Sequence, residues 1–238
     1  MKVYISCDME GISGVVNREQ VSKGNKEYER ARKLMTAEAN AAIEGAFMGG
    51  AQEVVVKDAH GEGRNILIEE LNPHAQLVSG RPAPLSMMQG IDDTFDAAFF
   101  IGYHAQAGTE DGVLAHTWSS SRIHQVAING EPLGETGLNA ALAGQFGVPV
   151  VLVSGDRRLV EEAKTLLGAG LETVVVKEGY GRCAARSLPP SLGHQLIKEA
   201  AVRGMEKGGR PFQIAPPITL TVEFALGAAV EMAELIPG

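Results

Sequence analysis

Asp8-Met9-Glu10-Gly11, Asp58-Ala59-His60-Gly61, Tyr103-His104 and Gly134-Glu135 each put a carboxylate or an imidazole just past an apolar run. In α/β chains such positions are strand ends, and side chains from several strand ends converge on one crevice. Asp8, Glu10, His60, His104 and Glu135 together offer three carboxylates and two imidazoles. That donor set suits two zinc ions and is too rich for most other purposes.

Taken one at a time, each stretch also has a plainer reading. Asp8 could cap a turn beside a solvated Glu10, and Asp58 could be a turn residue next to an exposed His60. Glu135 could simply sit well at a helix N-terminus. Their recurrence at four strand ends favours a shared site. Asp58 is better read as support for His60, because a ligating imidazole usually gives its other N–H to a carboxylate or carbonyl.

Charge selects the number of ions. Two divalent cations against three carboxylates leave about +1, which one hydroxide neutralises, whereas a single cation leaves about −1 and needs only four ligands. Asp8, with its short side chain at the strand end, is the natural bridge. Two bridged ions would activate a hydroxide and polarise a substrate carbonyl. His116, twelve residues after His104, could assist as an acid/base or by steadying transition-state charge. His74, His124 and His194 read as structural or solvated.

Other chemistries fit poorly. The chain has no G-x-S-x-G elbow, no H-E-x-x-H helix and no P-loop. Gly179-Tyr180-Gly181-Arg182-Cys183-Ala184-Ala185 superficially resembles a dinucleotide fingerprint, but it comes late and opens no clear helix.

The elements that must hold these residues are legible from periodicity. Val3-Tyr4-Ile5-Ser6-Cys7, Glu53-Val54-Val55-Val56-Lys57, Gln76-Leu77-Val78, Ala97-Ala98-Phe99-Phe100-Ile101, Pro149-Val150-Val151-Leu152-Val153 and residues 173–177 and 218–224 read as strands. Residues 122–128 alternate with period two and close in Asn129-Gly130, a tight-turn signal. Helical spacing runs over residues 26–48, with Ala31, Leu34, Met35, Ala39, Ala42, Ala46 and Phe47 on one face. Further helices are expected at 134–146, from 156 to about 167, and at 189–206.

The expected fold is α/β: a mostly parallel sheet flanked by helices in three layers, formed by one domain over residues 1–238. A small C-terminal α/β subdomain could begin near residues 170–180. The stretch 211–217 reads as either a boundary or a long connection.

The 238 residues are 45% apolar and 21% charged, which is ordinary globular usage. A net charge of −8, with no basic run, argues against nucleic acid as a partner. No apolar run approaches the roughly 20 residues that span a bilayer, and the N-terminus enters a strand without a signal-like segment. The expected location is cytoplasmic, away from the membrane. Cys7 and Cys183 are too few for a disulfide framework, and Cys7 reads as inert packing.

Several of these motifs, in this order, resemble the bacterial zinc-dependent D-aminopeptidases of the DppA type. The likeness runs through Asp8-Met9-Glu10-Gly11-Ile12-Ser13-Gly14, Tyr28-Glu29-Arg30, Asp58-Ala59-His60, Gly90-Ile91-Asp92-Asp93-Thr94-Phe95 and Gly102-Tyr103-His104-Ala105. It continues through Ile128-Asn129-Gly130 and Gly134-Glu135-Thr136-Gly137-Leu138-Asn139-Ala140, then fades after about residue 180. The resemblance implies that Asp8 bridges two zinc ions, that Glu10, His60, His104 and Glu135 complete the metal shell, and that His116 is catalytic.

It further implies removal of N-terminal D-amino acids from short peptides, and a homo-oligomer, a ring-stacked decamer enclosing the active sites. Family members continue for some tens of residues past the position of Gly238, outside the metal motifs, so metal binding is expected here. Two alternatives stand beside this reading: another metal-dependent amide or phosphoester hydrolase, and a non-catalytic, metal-containing peptide-binding module.

Overall fold

A computed structural model describes residues 1–236. Seven strands form the main sheet: β1 (Lys2–Cys7), β2 (Glu53–Asp58), β3 (Ala75–Val78), β4 (Ala97–Tyr103), β7 (Val150–Asp156), β8 (Glu172–Gly179) and β9 (Ala185–Ser187). Their order is β3-β2-β1-β4-β7-β8-β9, parallel throughout except for β9, which runs antiparallel to β8. Strands covered on both faces need apolar residues at nearly every position. β4 and β7 are buried along their full lengths.

The faces of β1 divide by residue parity. Val3, Ile5 and Cys7 join the cluster packed by α2 (Tyr28–Met48) and α5 (Pro190–Lys207). Tyr4 turns the other way, into the cluster with Ala140 and Ala143 of α3 (Glu135–Gln145) and Leu159 and Ala163 of α4 (Arg157–Leu167). Three layers result, as the sequence predicts. Gly45 brings α2 close to α5: a Cβ there would lie 2.5 Å from both Ala201 Cβ and Lys198 O.

A second sheet, in the order β10-β5-β6, is antiparallel and draws on distant parts of the chain: β5 (Ile123–Ile128), β6 (Glu131–Pro132) and β10 (Leu220–Phe224). Asn129 and Gly130 turn β5 into β6, with φ of +53° and +86°. Residues 170–180 contribute β8 to the main sheet, and 211–217 connect α5 to β10 of the small one. Two helices escape the periodicity reading: α1 (Arg18–Val21), only four residues, and α6 (Gly227–Ala233), which has no buried residue. Among the described residues no helix is long and apolar enough to cross a membrane.

The chain order reverses at β1: β2 and β3 lie on one side, β4 and β7 on the other. The crevice beyond the carboxyl ends of β1 and β4 is therefore the topological switch point, where open α/β sheets bind ligands. Two loops meet there backbone to backbone. Asp8 N–H donates to Ile101 O and Gly11 N–H to Gly102 O, each at 2.8 Å. A Cβ on Gly11 would lie 1.8 Å from Tyr103 O, and one on Gly102, at φ +68°, would lie 2.4 Å from Asp8 O. Only glycine permits this approach.

Candidate metal centre

All five candidate ligands and His116 gather at this crevice. Asp8 follows β1 directly and Glu10 lies in the turn beyond it; His60 is two residues past β2, His104 one past β4, and Glu135 opens α3. Asp8, Glu10, His104 and Glu135 are buried. His60 Nδ1 is 3.0 Å from Glu10 Oε2 and 3.3 Å from Asp8 Oδ1. His104 Nε2 is 3.4 Å from Asp8 Oδ2 and 3.5 Å from Glu135 Oε2. Asp8 thus turns one oxygen to each half of the cluster. His116 stacks on His104, with ring centroids 4.1 Å apart, and its Nε2 is 3.8 Å from Glu135 Oε1.

The imidazole tautomers carry the chemistry. His60 Nε2 lies 2.8 Å from Val21 O, His104 Nδ1 3.0 Å from Ala105 O, and His116 Nδ1 2.9 Å from Leu114 O. A carbonyl oxygen only accepts, so each of these nitrogens must be the one bearing hydrogen. The opposite nitrogen of every ring then faces carboxylate oxygens, which also only accept. His104 Nε2 is buried with no hydrogen-bond partner. Lone pairs aimed at lone pairs need a cation between them, either a second proton on the ring or a metal ion.

The proton affinities describe the same deficit of positive charge. Burial and the neighbouring Glu10 raise Asp8 to about 7. Burial works against ionisation of Glu10 and Glu135, yet His60 and His104 respectively hold them below the ordinary carboxylate range. Burial opposes protonation of His104, but Glu135, Asp8 and Glu10 carry it to about 10. His116 moves down instead, through burial and the adjacent His104. A bound divalent cation would reverse this balance and displace the protons.

Two overlapping groups of donor atoms are compact enough to hold an ion: Asp8, Glu10 and His104, and His104, His116 and Glu135. Oxygen and imidazole donors of this kind fit zinc.

Asp58 does not support His60. Its carboxylate accepts from Asn65 N–H at 2.5 Å, Asn65 Nδ2 at 2.7 Å and Ile66 N–H at 2.7 Å. It shapes the loop after β2, while the backbone at Val21 orients the His60 ring. Asn65 Nδ2 also donates to His60 O at 2.7 Å, so the influence of Asp58 on that histidine passes through backbone.

The largest residue missed by sequence reasoning is Lys177, in the middle of β8. It is buried, and Nζ donates to Glu10 O, to Ile12 O at 3.0 Å and to Val15 O at 2.5 Å. One ammonium therefore holds the whole turn that carries Glu10. Burial brings Lys177 down to about 8 against the pull of Asp156, Glu38, Glu10 and Asp8. From the helix side, Glu38 accepts from Ser13 N–H at 2.8 Å. The signal available in the sequence was a lysine at the end of an apolar run, Val174-Val175-Val176-Lys177.

Tyr103 is a second. Its hydroxyl lies 2.6 Å from Ser6 Oγ and 3.0 Å from Asn139 Nδ2, linking β1, β4 and α3 beneath the cluster.

The loop bearing His116 is strained and tied down. Asp111, Leu114 and Trp118 have φ of +56°, +54° and +56°, a left-handed conformation that side chains seldom adopt and that tends to cluster at functional sites. Trp118 N–H donates to Glu135 Oε1 at 2.7 Å, fixing the loop to the cluster. A cavity of about 420 Å³ opens over Glu10, His60 and His116. A larger one, about 740 Å³, lies between β6 and α4 and includes none of the cluster.

The topological match to known proteins is close. The solved structure of the Zn-dependent D-aminopeptidase DppA from Bacillus subtilis, a self-compartmentalizing protease, superposes with a TM-score of 0.96 at 41% identity, covering 100% of this chain and 86% of that one. In sequence, a D-aminopeptidase of Bacillus subtilis (strain 168) is 41% identical over 240 residues, again with 100% and 86% covered. A family model described as D-aminopeptidase matches residues 1–238, well past residue 180, where the motif likeness fades. The chain belongs to the D-aminopeptidase family.

Proposed function

We propose that this chain is a two-zinc aminopeptidase that removes N-terminal D-amino acids from short peptides. The observation that carries the reading is the set of imidazoles fixed by backbone carbonyls on one nitrogen and facing buried carboxylates with the other. In this reading Glu10 and His60 hold one ion, His104 and Glu135 hold the other, and Asp8 serves both. Bound zinc would polarise the scissile carbonyl and lower the pKa of water. The remaining work falls to side chains. His116, with the hydrogen on Nδ1 directed at Leu114 O, keeps the Nε2 lone pair to take a proton from the attacking water and pass it to the departing amine.

Zinc-loaded protein should cleave D-alanine p-nitroanilide in strong preference to the L-isomer; equal rates on both would remove the D-specific reading. His116→Ala should retain both zinc ions while kcat falls by roughly 10²–10⁴-fold. Metal analysis of that variant also tests the role of His116. Loss of one ion would make it a ligand through the group it forms with His104 and Glu135.

The similarity to a self-compartmentalizing protease supports a homo-oligomer, which we take to be a decamer. Exposed Leu226, Met232 and Leu235 at the C-terminal end of the described chain are apolar surface that an assembly could cover. Sedimentation velocity showing only monomer would remove this part. With no membrane-spanning helix among the described residues, we place the reaction in the cytoplasm, a point that fractionation of the producing cells would check.

A further inference from the structure

The cavity above the cluster is acidic at its floor and basic at its rim. Glu10, His60 and His116 line the floor, and Arg18 and Arg182, both exposed, line the rim. Each arginine is anchored one step from a cluster residue. Arg18 opens α1, whose last residue, Val21, accepts from His60 Nε2 at 2.8 Å. That helix is held in place by a capping box between Asn17 and Gln20 and by Gln20 Nε2 on Gly14 O at 3.1 Å.

Arg182 leads into the β8–β9 turn. Its Nη1 donates to Ala115 O, beside His116, and its own carbonyl accepts from Leu114 N–H at 2.9 Å. A guanidinium has five N–H donors in a planar fork, so the Ala115 contact leaves most of them for another group. Among the described residues neither Arg18 nor Arg182 makes an ion pair, although the chain has 29 acidic against 21 basic residues.

We propose that Arg182 and Arg18 form a carboxylate-binding subsite facing the metal centre across this cavity, and that they select short peptides with a free C-terminus. The inference rests on the aminopeptidase reading above. A peptide whose scissile carbonyl lies at the metal centre places its C-terminal carboxylate at the rim of the same cavity when the chain is only two or three residues long. Planar guanidinium groups bind a carboxylate through two parallel hydrogen bonds, with geometric selectivity that a neutral amide does not satisfy. Longer peptides or amidated ends would leave the arginines unpaired.

The test compares D-alanyl-D-alanine with its C-terminal amide, measured on the zinc-loaded wild type, Arg18→Gln and Arg182→Gln. The wild type is expected to favour the free acid in kcat/KM by roughly tenfold or more, the gain of charge-assisted hydrogen bonds over neutral ones. In each variant that ratio should fall toward one, mainly through KM for the acid. Arg18 makes no side-chain bond among the described residues, so its variant does not depend on the loop that Arg182 holds. A wild type that treats acid and amide alike, or variants that keep the wild-type ratio, would overturn the subsite. A parallel loss on both probes in Arg182→Gln would assign that residue to positioning the His116 loop and exclude it from the subsite. A wild type that cleaves neither probe would refute the aminopeptidase reading itself, and the subsite with it.

Discussion

Asp8→Ala is expected to give a folded protein that zinc no longer stabilises and that has no measurable peptidase activity. Asp8 reaches toward both His60 and His104, at 3.3 and 3.4 Å, so removing it takes a donor from each half of the cluster. Catalysis should fall by more than the roughly 10²–10³-fold that follows loss of a single oxyanion donor. The metal-free fold has little reason to suffer. Asp8 and Glu10 are buried like charges, and burial together with Glu10 already raises Asp8 to about 7. Deleting one of them relieves repulsion. Zinc at 100 times its Kd should add about 2.7 kcal/mol to the wild type by mass action, and nearly nothing to the variant. Thermal melts with and without zinc read this difference. An Asp8→Ala protein that zinc stabilises as it does the wild type would remove Asp8 from the metal shell.

Lys177→Met should be the most damaging change away from the ligands. The ammonium donates to three carbonyls of residues 10, 12 and 15, in a region sealed from water. Methionine fills similar space and escapes the desolvation that brings Lys177 down to about 8. Against that gain, the orphaned carbonyls cost about 1–3 kcal/mol each when nothing replaces the donor. The net expectation is a loss of about 3–5 kcal/mol, the usual result of removing one side of a buried charged network. Urea denaturation of the metal-free protein measures it. Zinc affinity should weaken as well, because the turn that presents Glu10 loses its anchor. Lys177→Arg should not restore stability, since a planar fork cannot reproduce three bonds converging on a single nitrogen. A loss below about 1 kcal/mol would mean that the turn is held by Gly11, Ser13 and Glu38 alone.

Those two residues also mark the limit of what could be read from the sequence. Asp8 was legible because it combines two local signals, an apolar run and a ligand-type residue at its end; the same is true of His60 and His104, whereas Glu135 opens α3 after the two-residue β6. The parallel pairing of β1 and β2 followed from the helical spacing over residues 26–48 between them. Asp58 was misread because an apparent Asp-x-His pair cannot reveal which way its carboxylate turns; Asn65 and Ile66, seven and eight residues on, take it up. Lys177, Arg18 and Arg182 reach the site from α1, from β8 and from the β8–β9 turn, through tertiary contacts that leave no periodic trace. The one-turn α1 was likewise too short to show a period, and α6 spans only seven residues with its apolar side chains unburied.

Anomalous diffraction at the zinc edge, from crystals of the zinc-loaded wild type, tests the two-ion centre at the heart of this reading. Two peaks per chain are expected roughly 3.5–4 Å apart, one beside His60 and Glu10, the other beside His104 and Glu135, with the Asp8 carboxylate between them. A single peak, or peaks only at surface sites away from Asp8, would refute the two-metal mechanism.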